Sequence, residues 1–154
     1  MAKFPTQKYQ TENLFLLSIN PGVRNTNIEM KFMINLLNTS ELPHTFDVLK
    51  DSLPSIFQSE CFNEGKLPFR DEVRNTEIGH LFEHILLEYL TKFKKLYDNE
   101  EKSFTGVTSW DWIKNKKGTF NIKINTGDNN SRIFNEAVEK SIELLKKIIE
   151  GKIN

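Results

Sequence analysis

The sequence predicts a single α+β domain, a small sheet with helices packed on it, and three observations carry that expectation. Short apolar runs of strand character stand near the N-terminus. A second pair of such runs flanks a Lys- and Gly-rich turn. Two long segments repeat their apolar residues at helical spacing. The expected order is ββααββα over residues 1–154, with no internal repeat, low-complexity tract or linker dividing it.

Each element has its own local reason. The run NLFLLSIN (Asn13–Asn20), closed by Pro21 and Gly22, reads as a buried strand and a turn. IEMKFMINLL (Ile28–Leu37) alternates well enough for a second strand. HTFDVLKDSLPSIF spaces its apolar residues helically from Phe46 to Leu49 until Pro54 interrupts, with His44 an ordinary polar residue near the start. CFNEGKLPFRDE (Cys61–Glu72) is a loop containing Gly65 and Pro68. A long helix follows from about Thr76, its expected N-cap, to Tyr97. TSWDWIKNKKGTFNIKI reads as two strands around a turn at Lys114–Gly118. Trp110 and Trp112, alternating on the first of these strands, share a face, where packing is favoured over a ligand platform. The last segment carries Ile133, Phe134, Ala137, Val138, Leu144, Leu145, Ile148 and Ile149 as an amphipathic helix ending near Gly151.

Composition excludes several classes of function. Lys plus Arg and Asp plus Glu each number 21, so the formal net charge is zero, which argues against general binding to nucleic acid or anionic membranes. No apolar run approaches the roughly 20 residues that span a bilayer. The N-terminal segment carries no secretory pattern, and the single cysteine, Cys61, has no internal partner for a disulfide. The expected location is cytoplasmic.

The chemistry concentrates in the long helix. On a wheel at about 100° per residue, Ile78, Phe82, Ile85, Leu86, Tyr89, Leu90, Phe93 and Leu96 form one broad apolar face. His80, His84 and Glu88 form a narrow strip opposite, with Glu83 beside His80 and with Leu81 and Leu87 flanking. A solvated strip would carry Lys and Arg as well, and these begin only at Lys92. Imidazoles at i and i+4 project from adjacent turns and can share one cation, zinc being the usual choice for neutral imidazole. HLFEH (His80–His84) has the H-x-x-E-H pattern, in which the histidines bind metal and the glutamate takes a proton from water that the metal polarises. Residue by residue, that makes His80 and His84 ligands and Glu83 the base. Glu88, one turn further on, and Cys61, in the preceding loop, are alternative third ligands. The Cα atoms of residues 80 and 88 lie about 12 Å apart on a straight helix, which makes Glu88 a long reach. Arg70 and Arg74, just before the helix, are candidates for binding a substrate carboxylate.

The stretch LPSIFQSECFNEG, then FRDEVRNTEIGHLFEHILLEYL, a hairpin ending GTFNIKI and a helix AVEKSIELLKKI together resemble the N-terminal domain of cyanophycin synthetases. The likeness runs from about Leu53 to Ile149, and H-x-x-E-H-x-x-x-E is its specific part. It implies an α+β domain that holds an Asp/Arg polymer and, in some members, cleaves it with a metal. Tyr89-Leu90 and NEGKLPF depart from the pattern. These 154 residues contain neither ligase module of the synthetases and no G-x-x-x-x-G-K-[ST] phosphate loop. The expected function is therefore a zinc-dependent peptide hydrolase acting on an Asp/Arg-type polymer or related peptide. The alternative is a non-catalytic polymer- or peptide-binding module, or a partner subunit of a separate enzyme.

Overall fold

The computed structural model describes residues 6–11, 13–59, 68–127 and 130–153. Five antiparallel strands form one sheet in the order β1-β2-β3-β5-β4. The strands are β1 (Gln7–Thr11), β2 (Phe15–Pro21), β3 (Asn25–Phe32), β4 (Thr105–Ser109) and β5 (Thr119–Asn125). Between β3 and β4 come α1 (Thr45–Ser52), a 3-10 turn at Pro54–Gln58, the short α2 (Phe69–Glu72) and the long α3 (Ile78–Asp98). The helix α4 (Ser131–Ile153) follows β5. The α+β expectation is met, and none of the helices among the described residues is long and apolar enough to cross a membrane.

Side chains alternate across a strand, so one face of the sheet becomes the core. Cross-strand pairs line it in rows: Phe15 with Phe32, Leu17 with Met30 and then Phe120, Ile19 with Ile28 and then Ile122. All of these side chains are buried. The helices α3 and α4 lie against this face and against each other. One close approach is at Gly79, where an added Cβ would overlap the buried Phe120 ring. Only hydrogen at that position lets the first turn of α3 sit on β5.

Several boundaries differ from the expectation, each for a physical reason. Strand β1 is absent from the sequence reading because QKYQT is mostly polar; an edge strand pairs on one side only and needs little apolar character. The second strand spans Asn25–Phe32, not Ile28–Leu37, because its polar start pairs Asn25 with Asn125 and its end gives way at Met33, whose N–H donates to Leu14 O. FRDE is a helical turn within the expected loop. The residue capping α3 is Glu77, and the Thr76 hydroxyl turns instead to His80 Nδ1 at 2.8 Å. Strand β4 ends at Ser109, so Trp110 and Trp112 lie beyond it; both rings still pack on Phe120, at 5.6 and 5.5 Å between centroids. Leu96, assigned to the apolar face of α3, is 68% exposed, because the last turns of that helix bury Lys94 instead. The helix α4 runs past Gly151.

The Gly79 contact yields a test of the fold. Gly79→Ala adds helix propensity worth about 1 kcal/mol, but overpacking a filled core costs about 1–3 kcal/mol. The variant should lose a few degrees of Tm, and Phe120→Leu in the same chain should recover part of the loss. A Gly79→Ala protein melting above the parent would show that α3 and β5 are not in contact there.

Candidate metal centre

The site is assembled from α2, the first two turns of α3 and strand β4. His80 and His84 face each other across one helical turn, with their Nε2 atoms 3.1 Å apart. Two nitrogens bound tetrahedrally to zinc at 2.0–2.1 Å would lie roughly 3.3 Å apart. The pair is therefore already spaced as two ligands of one ion. Without a cation, a proton must lie between the two nitrogens, one ring donating to the other.

Glu83 joins them. A ligand atom from each of His80, Glu83 and His84 lies within 4.8 Å of the other two, a group able to hold a metal ion. The Glu83 carboxylate is oriented by Thr108 on β4, whose hydroxyl donates to Oε1 at 2.6 Å. The expectation placed Glu83 beside His80 and outside the core; it is in fact buried, 5% exposed. Gly106 on the same strand packs closely on β5, since a Cβ there would come 2.7 Å from Ile124 Cδ1.

His84 is equally enclosed, and Phe69 of α2 stacks on its ring at 4.1 Å between centroids. Burial, and after it the neighbouring His80, pulls the His84 imidazole from its ordinary 6.5 down to about 3, so it is neutral at physiological pH, the form that binds metal. Burial also pushes the Glu83 carboxyl above its ordinary value; Thr108 and His80 oppose that rise and Glu72 adds to it.

Glu72, the last residue of α2, is a member of the site that the sequence reading missed. Its Oε1 lies 3.9 Å from His80 Nδ1, and its Oε2 is buried with no hydrogen-bond partner among the described residues. It sits eight residues before His80, across a turn and outside the helical periodicity, so only its acidic character in FRDE could have drawn attention to it.

The other expected residues lie differently. Glu88 is half-buried and lines a groove of about 490 Å³ with His84, Ser55, Gln58, Ser59, Leu87, Thr91, Ser103, Phe104 and Thr105. It is not in the group that could hold the ion. Cys61 lies outside the described residues. Arg70 and Arg74 are exposed, and their guanidinium groups lie over the Phe46 ring at 6.0 and 4.4 Å.

No family model, no curated protein and no solved structure matches this chain. The likeness to cyanophycin synthetase N-terminal domains therefore rests on the quoted residues alone.

The state of His84 predicts an acid sensitivity. Its folded-state pKa is depressed, so its contribution to stability is present above the unfolded value of 6.5 and is lost as pH falls toward about 3. The Tm of metal-free protein should drop across that window, and less steeply in His84→Gln. Parallel curves for the two proteins would contradict a neutral, buried His84.

Proposed function

We propose that this chain is a metal-dependent peptide hydrolase whose ion is held by His80 and His84. The observation that carries the reading is the 3.1 Å convergence of the two Nε2 atoms next to a buried carboxylate. The donor set fits a divalent transition metal: two neutral imidazoles, with carboxylate oxygen close by, suit zinc and its neighbours. An ion bound there would supply Lewis acidity toward a peptide carbonyl and make water acidic enough to lose a proton near neutral pH.

The chain's own residues account for the remainder. Glu83, buried beside the two imidazoles, takes up the proton as general base. Thr108 fixes the direction from which it acts. Phe69 covers one face of the His84 ring and keeps water from it. A substrate approaches along the groove that His84 lines, where hydroxyl and amide groups suit a peptide backbone. Glu88 is the only charged side chain lining this groove among the described residues, so it favours a basic substrate side chain, as an Asp/Arg-type polymer carries.

A second reading, a binding module without turnover, draws support from the near-complete burial of Glu83 and His84, which leaves little room for a reacting carbonyl. Metal analysis of protein purified without a nickel column, joined to an Asp/Arg peptide cleavage assay, separates the two. The hydrolase reading expects about one zinc per chain, lost in His80→Ala and in His84→Ala. It expects Glu83→Gln to keep the metal while turnover falls about 10²–10⁴-fold. Metal-free, folded protein that binds these peptides uncut would support the module. Loss of metal from Glu83→Gln would make that residue a ligand instead.

The groove gives a separate expectation. Glu88→Gln should raise KM for arginine-containing peptides several-fold and leave kcat and metal content unchanged. An unchanged KM would remove Glu88 from substrate recognition.

A further inference from the structure

We infer that Glu72 is the positioning carboxylate of His80, fixing the ring so that its Nε2 lone pair points at the metal; this rests on the metal reading of the histidine pair. Glu72 is 8% exposed, and one of its oxygens is buried with no hydrogen-bond partner among the described residues. A carboxylate in such a place is costly unless a positive group faces it. The group it faces is the His80 Nδ1 edge, at 3.9 Å.

That distance is beyond a hydrogen bond but well within electrostatic range at a buried site. The same nitrogen lies 2.8 Å from Thr76 Oγ1. A neutral imidazole carries its proton on one nitrogen only. With the proton on Nδ1, the N–H edge faces Thr76 and the Glu72 charge favourably. With the proton on Nε2, the Nδ1 lone pair would face that negative charge, and Nε2 would be blocked as a ligand. Glu72 thus selects the tautomer in which Nε2 is unprotonated and faces His84 Nε2. Carboxylate–histidine–metal relays work in this way, and the carboxylate raises the basicity of the ligand nitrogen.

The arrangement also explains why α2 exists as a separate turn. Phe69 at its start stacks on His84, and Glu72 at its end faces His80. One four-residue element thus reaches both rings.

The test combines zinc titration of Glu72→Gln and Glu72→Asp with ¹⁵N NMR of the histidine ring nitrogens in metal-free protein. Wild-type His80 should be in the Nδ1–H form. Glu72→Gln should shift it toward a mixture and weaken zinc binding about 10–100-fold, with the metal-free Tm little changed and Glu72→Asp intermediate. An Nε2–H tautomer on wild-type His80 overturns the assignment, and that spectrum decides the matter if neither variant folds. An unchanged tautomer and zinc affinity in folded Glu72→Gln overturns it too. Wild-type protein that takes up no zinc but shows the tautomer shift would defeat the metal reading and leave the positioning role standing.

Discussion

The first turns of α3 are enclosed on three sides, and that enclosure governs the chemistry of this molecule. The sheet covers one side of the helix, α4 another, and α2 with the 3-10 turn a third. Polar side chains on an enclosed helix cannot be solvated, so they must satisfy one another or bind something. His84 answers by remaining neutral, Glu83 by accepting from Thr108, and His80 by bonding to Thr76 and His84. The Glu72 Oε2, without a hydrogen-bond partner among the described residues, is the part left over.

Charge accounting at the site points the same way. Two buried carboxylates, Glu72 and Glu83, stand beside imidazoles of which one is held neutral by its surroundings. Burial without compensation disfavours carboxylate charge, and the rise at Glu83 expresses that. A divalent cation between the two rings would reverse the balance, replacing the shared proton and giving both carboxylates a positive neighbour. Structural ion pairs also perturb pKa values, but the described residues place no Lys or Arg in an ion pair with Glu72 or Glu83.

Much of this was legible in the sequence, and the remainder was hidden for definite reasons. H-x-x-E-H on a helix that carries no Lys or Arg before Lys92 identified the ring pair, because i and i+4 are neighbours whatever the tertiary fold. The depth of Glu83 was not legible: its place on the wheel was right, but burial depends on β4 arriving over it from 25 residues further on. Glu72 escaped because it reaches the site through a break between helices, where periodicity says nothing. Strand β1 escaped because its pairing with β2, from Gln7 opposite Ile19 to Thr11 opposite Phe15, supplies what its side chains do not. Glu88 followed the wheel correctly but leads along the groove, since a third successive turn carries a side chain past the point where the first two converge.

A group able to hold a metal ion needs its ligand atoms held to about half an ångström, and elements fixed at one end only would not provide that. The helix α3 is anchored at both ends. At its start, Gly79 lies against Phe120, and the Thr39–Thr76 hydrogen bonds tie the preceding turn to the β3–α1 connection. Near its end, the buried Lys94 ammonium donates to Asp98 at 2.7 Å and to Asn130 at 2.8 Å, just before α4 begins. Asn130 in turn donates to Thr126 O, at the end of β5. The pair with the half-exposed Asp98 contributes little to stability by itself, but the Lys94–Asn130 and Asn130–Thr126 hydrogen bonds join α3, the start of α4 and the end of the sheet. The position of His80 and His84 along the helix axis is thereby set from both directions, and the 3.1 Å between their nitrogens follows from the whole fold as well as from their spacing in sequence.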